Sequence, residues 1–519
     1  MMHRIALSIV RATAQILMTK LLGKPAGQRQ LPLAALFLST AVMTGCAVGP
    51  DFKSPAVPVV DGYTAQPLPT QTASADVAGG QAQRFVHDMD IPGQWWTLFR
   101  SKGLNDLIEQ ALKNNPDVAA AQAALRGAQE NVYATQGAYF PSVSASLNPT
   151  RQKIATPLAS PAASGDYYYN LHTAQVSVAY SPDVFGGTRR QVESVAAEAE
   201  AQRFQLEATY LTLTSNVVTA AVQEASLRGQ IAAIGEVISI QTKALELLQR
   251  QLALGHVSNA DVAAQEAALA QAQAMLPPLE KQLAQQRDLM ARLVGRFPSE
   301  KLLQEFDVLS LQLPEALPVS VPSRLVAQRP DVRAAEAQLH AASAGIGMAI
   351  ANRLPNVTLS ANFGDSAEVI NGLFTSGIGF WMLAANITQP IFQGGTLLHR
   401  QRAAVAAFDQ AAAQYRGTVL SAFQNVADTL QALKSDANAL NATLAAERAA
   451  NKSLTIVRHQ LELGDISNLT LLNAQQIYQQ ARISLVQAQA NRYADTAALF
   501  QALGGGWWNR ADTGETRSD

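Results

Sequence analysis

Two stretches of this chain, Thr188 to Ala253 and Thr396 to Glu462, contain no proline. Proline removes a helical donor and clashes with the preceding turn, so it is the residue that most firmly stops a helix. Its absence over roughly 66 residues permits one continuous helix of about 99 Å at 1.5 Å per residue. Helices of that length cannot close into a small globule. Leu, Val and Ala recur along both stretches at three- and four-residue spacing, which calls for neighbouring helices in a coiled-coil-like wall. Gly255 and Gly464 follow the two stretches closely and predict turns that reverse the chain into a second helix.

The two stretches belong to an internal duplication. Asn115, Pro116, Asp117 and Val118 return as Arg329, Pro330, Asp331 and Val332, and Pro141, Ser142 and Val143 return at the same offset as Pro355, Asn356 and Val357. Leu254 to Asn259 matches Leu463 to Asn468, and Leu293, Val294 and Gly295 match Ala502, Leu503 and Gly504. Each half reads as helix, strand pair, long helix, glycine turn, helix. The first runs over residues 93–320 with strands about 141–182, and the second over 321–506 with strands about 355–390. A short polar tail, 507–519, follows.

The strands alternate with period two. Val143, Ala145 and Leu147 oppose Ser142, Ser144 and Ser146; Ala174, Val176, Val178 and Tyr180 oppose Thr173, Gln175 and Ser177; Val357, Leu359, Ala361 and Phe363 oppose Asn356, Thr358, Ser360 and Asn362. The fourth, Gly379 to Gln389, alternates less cleanly. Lengths near ten residues with small polar side chains on one face suit transmembrane β-strands, and a soluble sandwich has the same local pattern. Four strands cannot close a barrel, and open edges are not tolerated in hydrocarbon, so transmembrane strands here require several copies of the chain. A dimer's eight strands leave an interior filled by side chains, whereas a trimer's twelve leave a lumen.

The single cysteine, Cys46, excludes an intrachain disulfide and a thiolate metal cluster. It follows an apolar run from Leu31, itself preceded by Lys20, Lys24 and Arg29, with Thr44 and Gly45 immediately before it. This is the layout of a secretory signal over 1–45, and it resembles a lipobox that would make Cys46 the lipidation site. Met43 departs from the usual Leu of that motif, and Ala47, which is not Asp, favours passage to the outer membrane. Residues 46–92, rich in Pro, Ala, Thr, Gln and Gly, read as a lipidated, extended tether. With 39 Lys plus Arg against 40 Asp plus Glu, the chain has no basic field to attract nucleic acid. It also lacks HExxH, GxxxxGK[ST] and GxSxG motifs. No catalytic residue, metal ligand or cofactor is expected, and His256 and His459 read as surface residues.

The duplicated plan, with WWTLFRSKGLNDLIEQALKNNPDVAAAQA from Trp95, PIFQGGTLLHRQRAA from Pro390 and ALGGGWW from Ala502, resembles the TolC-type outer-membrane efflux family, and its lipoprotein branch in particular. The resemblance implies a mainly α fold with transmembrane β-strands. Three chains would build a 12-stranded barrel continued by an α-helical periplasmic tunnel, lipid-anchored in the cell outer membrane. It implies as partners a periplasmic adaptor and an inner-membrane efflux transporter of the resistance-nodulation-division type, with cargo leaving chemically unchanged. The turns Gly255, His256, Val257, Ser258, Asn259 and Gly464, Asp465, Ile466, Ser467, Asn468 would be the adaptor-docking tips. Family members often hold the entrance shut with carboxylate and arginine contacts just after the second turn. The matching positions here are the uncharged Thr470, Asn473 and Gln476, beside Leu469. A gate of apolar and amide contacts, with Asp261 as an acidic ring or a solvated helix-start charge, is the expectation. A periplasmic adaptor or scaffold lipoprotein is the alternative, against which stand two equivalent halves with amphipathic strands.

Overall fold

The computed structural model describes residues 47–60, 62–153, 168–300, 302–463 and 465–510. Cys46, the leader before it, Gly464 and the polar tail beyond 510 lie outside the described residues. In chain order the elements are β1 (Arg84–His87), α1 (Lys102–Asn114), α2 (Pro116–Gln136), β2 (Ser142–Lys153), β3 (Tyr168–Tyr180), α3 (Gly187–Ala253), α4 (Asn259–Ala274), α5 (Leu276–Leu293), β4 (Ala316–Val319), α6 (Pro322–Gln328), α7 (Pro330–Ala351), β5 (Asn356–Ala367), β6 (Gly379–Thr388), α8 (Thr396–Glu462) and α9 (Asn468–Ala502). The two proline-free stretches are the 67-residue helices α3 and α8.

The buried face of α8 explains its partners. Val419, Val426, Leu433, Leu440, Glu447, Leu454 and Leu461 follow one another at seven-residue steps and are all buried, with Leu430, Ala437 and Leu444 between them. That heptad seam packs on α9, as a coiled coil requires. Helix α3 is buried on several sides because it touches α2, α5, α7 and α9. A short helix, α1, buries Leu104, Leu107, Ile108 and Ala111 at helical spacing, beside Trp95, which stacks on Phe500 at 5.3 Å.

The duplication is visible as repeated contacts. Asn115 accepts from the amides of Asp117 and Val118 at the start of α2, and its Nδ2 donates to the carbonyl of Leu293 at 2.9 Å. At the matching place Arg329 pairs with Asp331, and its guanidinium donates to the carbonyl of Ala502 at 3.0 Å. In both halves a glycine follows. A Cβ on Gly295 would lie 2.3 Å from the Asn114 carbonyl, and one on Gly504 2.5 Å from that of Gln328, both at positive φ. One half departs from the other at Met275, where Pro277 and Pro278 divide α4 from α5, while α9 runs unbroken.

Strands β2, β3, β5 and β6 form one antiparallel sheet in that order. Its register aligns the apolar faces of all four. Val143, Val178, Ala361 and Leu383 share one row, and Ala145, Val176, Phe363 and Trp381 the next. The opposite face carries Ser144, Ser177, Asn362 and Met382, then Ser142, Ala179, Ser360 and Ala384. The blurred alternation of β6 is thereby explained: Met382 and Ala384 occupy the polar face. Within the chain β2 and β6 each pair on one side only. Among the described residues no helix is long and apolar enough to cross a membrane.

The segment expected as a tether is extended, and it is also fastened to the helices. Val48 donates its amide to the Phe185 carbonyl, Arg190 holds Asp51 and the Val48 carbonyl, and Phe52 stacks on His340 at 4.4 Å. Farther on, Arg492 of α9, 0% exposed, donates to the Gly79 and Gln81 carbonyls, Thr72 Oγ1 and Gln83 Oε1. Strand β1 then pairs in parallel with β4.

Arg492→Met keeps the aliphatic stem and removes every donor, leaving buried acceptors unpaired. We expect a loss of about 3 kcal/mol and new cleavage between residues 72 and 83 by a broad-specificity protease. Unchanged melting and an unchanged digestion pattern would show that the strap is held by other contacts.

Candidate functional site

The residues singled out by the sequence collect at the two helix turns. Helix α3 ends with Gly255 at φ +74, its amide donating to the Leu252 carbonyl and that of His256 to the Gln251 carbonyl. This paired pattern closes a helix through a left-handed residue. After His256 and Val257, Ser258 starts α4 with a reciprocal cap: its hydroxyl accepts from the Asp261 amide, and the Asp261 carboxylate accepts from the Ser258 amide at 3.1 Å and hydroxyl at 2.7 Å. These bonds hold the Asp261 carboxyl below its ordinary value.

The second turn repeats the exit but not the entry. Asp465 donates its amide to the Gln460 carbonyl at 2.9 Å, and Ile466 packs into the apolar cluster of α3, α8 and α9. Ser467 stands where Ser258 does, yet the third helical residue is Thr470. Ser467 makes no side-chain bond to the helix backbone, only a hydroxyl contact with Thr470 at 3.2 Å. The start of α9 is the less firmly capped of the two. Asn468 joins the turns, donating its amide group to the Asp261 carbonyl at 3.0 Å.

Leu469, Thr470, Asn473 and Gln476 come together. They line one wall of an open groove of about 870 Å³, whose other wall is Ala264, Ala268 and Gln271 of α4 with Met275 just past its end. Gln479 bridges the walls, its Nε2 lying 2.7 Å from the Met275 sulfur. Asp261 is not part of this lining, since its carboxylate is turned onto Ser258. Leu254 and Leu463, the residues just before the two glycines, are 73% and 63% exposed, and Leu469 is 74% exposed. His256 is exposed, and His459 faces Glu462 at 3.7 Å. Among the described residues no three His, Cys, Asp or Glu side chains could share a metal ion.

Above the groove lies a link that sequence reasoning missed. The Tyr478 hydroxyl of α9 donates to Glu236 Oε1 of α3 at 3.0 Å, and Arg482 Nε lies 3.8 Å from Glu236 Oε2. Burial, and then the Glu236 carboxylate, push the Tyr478 hydroxyl up to about 12. Tyr478 and Arg482 are one turn apart on the same helix face, the only sequence sign of a shared partner. The carboxylate–arginine contact absent after the second turn is thus present farther along α9.

A family model described as outer membrane efflux protein matches residues 107–296 and 321–505. The probable efflux pump outer membrane protein TtgC of Pseudomonas putida is 27% identical over 92% of this chain and 96% of its own length. The pyoverdine export outer membrane protein OpmQ of the same species is 29% identical over 85% and 94%. Among solved structures, the outer-membrane channel OprN superposes with a TM-score of 0.79 at 27% identity, over 89% of this chain and all of that one. VceC of Vibrio cholerae does so with a TM-score of 0.75 at 27% identity, over 80% and 100%.

Ser258→Ala removes the cap and the donor to Asp261 together. Amides at the start of α4 are expected to exchange roughly fivefold faster. Because the Asp261 carboxyl is held below its ordinary value of 3.8, the bond is complete above that pH and is lost as pH falls through the lower folded value. The difference between wild type and variant should therefore be larger at neutral pH than in strong acid, where only the bond from the Asp261 amide to the Ser258 hydroxyl remains. An equal difference at every pH would mean that Asp261 takes no part in the cap.

Proposed function

The chain belongs to the outer membrane efflux protein family, and on that premise we propose that its four-stranded sheet and paired helices form one third of a gated exit duct. It is an outer-membrane channel of an efflux system, with its helices extending on the periplasmic side. The family is a family of channels and not of enzymes, so cargo passes without chemical change.

The aligned apolar rows carry this reading. They give the sheet one face for hydrocarbon and one of Ser, Thr, Asn and Gln for water, and three copies supply enough strands for a lumen. The two turns, with Leu254 and Leu463 exposed beside them, suit docking to the helical hairpins of a periplasmic adaptor, which would link the duct to an inner-membrane transporter. Cys46 would carry the lipid anchor in the outer membrane. Relatives are named for toluene and for pyoverdine export, and a duct lined by small polar groups is correspondingly permissive.

The gate is assigned to Leu469, Thr470, Asn473 and Gln476, with Asp261 as a capping charge behind it. Closure depends on apolar and amide contacts across the groove, assisted by the Tyr478–Glu236–Arg482 link. That ion pair is part-exposed on both sides, and pairs of this kind contribute about 0–1 kcal/mol, so it trims the equilibrium without dominating it.

Single-channel conductance of the detergent-purified, lipidated trimer in a planar bilayer tests this. Between about 0.1 and 1 M KCl, the ratio of conductance to bulk conductivity should stay within about twofold. Asn473→Ala combined with Gln476→Ala should raise open probability, and Tyr478→Phe should raise it less. A ratio climbing steeply with salt would mean that ion pairs hold the entrance, and the amide gate would be withdrawn.

A further inference from the structure

We propose that the outer end of the β2–β3 hairpin is a binding site for phosphate groups on outer-leaflet lipid, formed by Arg151 and Lys153. The inference rests on the barrel reading above and adds a ligand to it.

The placement follows from register. Strand β2 continues the alternation of Val143, Ala145 and Leu147 through Pro149 to Arg151 and Lys153, with no break in its pairing to β3. Both cations therefore project from the apolar, hydrocarbon-directed face and not toward the lumen. Arg151 lies opposite Asn170 and Lys153 opposite Tyr168, and Lys153 Nζ sits 5.2 Å from the Tyr168 ring centre. A cation over an aromatic ring, at the end of an apolar strand face, is the chemistry of a membrane–water boundary.

Height places them at the headgroups. The apolar rows begin with the Val357–Ile387 pair at the helical end of the sheet. Counting register steps to Arg151 gives about 40 Å along the strands, or about 30 Å along the barrel axis at the usual tilt. A barrel's apolar band is about 25 Å tall, so Arg151 clears it and Lys153 stands farther out. The end of the hairpin away from the helices faces the outer leaflet.

Charge nearby leaves the cations available. Neither is in an ion pair among the described residues. His172 is one same-face row below Arg151, its Nδ1 without a hydrogen-bond partner. Asp365, the acidic residue of the same sheet face, lies two strands across and about 13 Å back along them. Asp166, outside the described residues, is the one acidic residue between Lys153 and Tyr168 in the sequence. A lipid phosphate offers acceptors to the Arg151 fork and the Lys153 ammonium, while its acyl chains lie along Val143, Ala145 and Leu147.

The test uses the intact trimer in detergent and counts bound lipid by native mass spectrometry, with diphosphoryl lipid A as the probe. Binding should be saturable, and Arg151→Gln with Lys153→Gln should weaken it roughly thirtyfold, from about fivefold per cation. Arg151→Lys with Lys153→Arg, which keeps both charges, should retain it. Equal binding by the double glutamine variant, or equal binding of lipid A stripped of its phosphates, would overturn the site. Displacement by millimolar inorganic phosphate alone would overturn a lipid as its source. A monomeric sample would overturn the barrel reading and this proposal with it.

Discussion

The unpaired backbone of β2 and β6 governs everything else in this architecture. Within one chain each of these strands has a neighbour on one side only, and in hydrocarbon every unsatisfied amide or carbonyl costs several kcal/mol. The sheet is therefore not a finished membrane structure. It becomes one when β2 of one copy meets β6 of the next, and the aligned apolar rows make that joining continuous on the lipid side. The long helices, entering and leaving at the base of the same strands, must then arrange themselves around the same axis. The tunnel is a consequence of closing the barrel, and the heptad seam of α8 stabilises the helices so arranged.

The duplication shows what such a duct demands at each half and what it leaves free. Demanded is the closure of the first helix onto the end of the last: Asn115 to Leu293, and Arg329 to Ala502. The chemistry of the donor differs, amide in one half and guanidinium in the other, while the carbonyl it reaches is equivalent. Left free is the entry to the helix after each turn. Asp261 completes a reciprocal cap in the first half, whereas Thr470 at its counterpart makes only a hydroxyl contact with Ser467. Helix α9 thus begins with less local restraint than α4, and it is α9 that carries one whole wall of the groove.

Most of the architecture was legible because it rests on local rules. Proline-free stretches located α3 and α8 to within a residue, period-two alternation located the strands, and glycine followed by serine located both turns. Leu469, Thr470, Asn473 and Gln476 follow from the family resemblance, and helical spacing brings them to one groove. What could not be read rests on contacts between distant residues. The strap looked like a free tether because its stability comes from Arg190, His340 and Arg492, far along the chain, and not from any periodic face of its own. Strands β1 and β4 are too short to show a period. Glu236 belongs to one half and Tyr478 with Arg482 to the other, so their link becomes visible only when α3 lies against α9.

The strap also fixes where its own first residues lie on the body. Its first described residues are not at the turns or along the middle of the helices: Val48 is bonded to Phe185 and to Arg190, at the junction where β3 gives way to α3. If the strands span the bilayer, that junction marks the periplasmic headgroup surface. The bonds that fix Val48 and Asp51 to Phe185 and Arg190 also fix the height of the strap's first residues on the helices. The polar composition read as an extended tether is what such a segment needs. It must satisfy its own backbone against helices while lying in water.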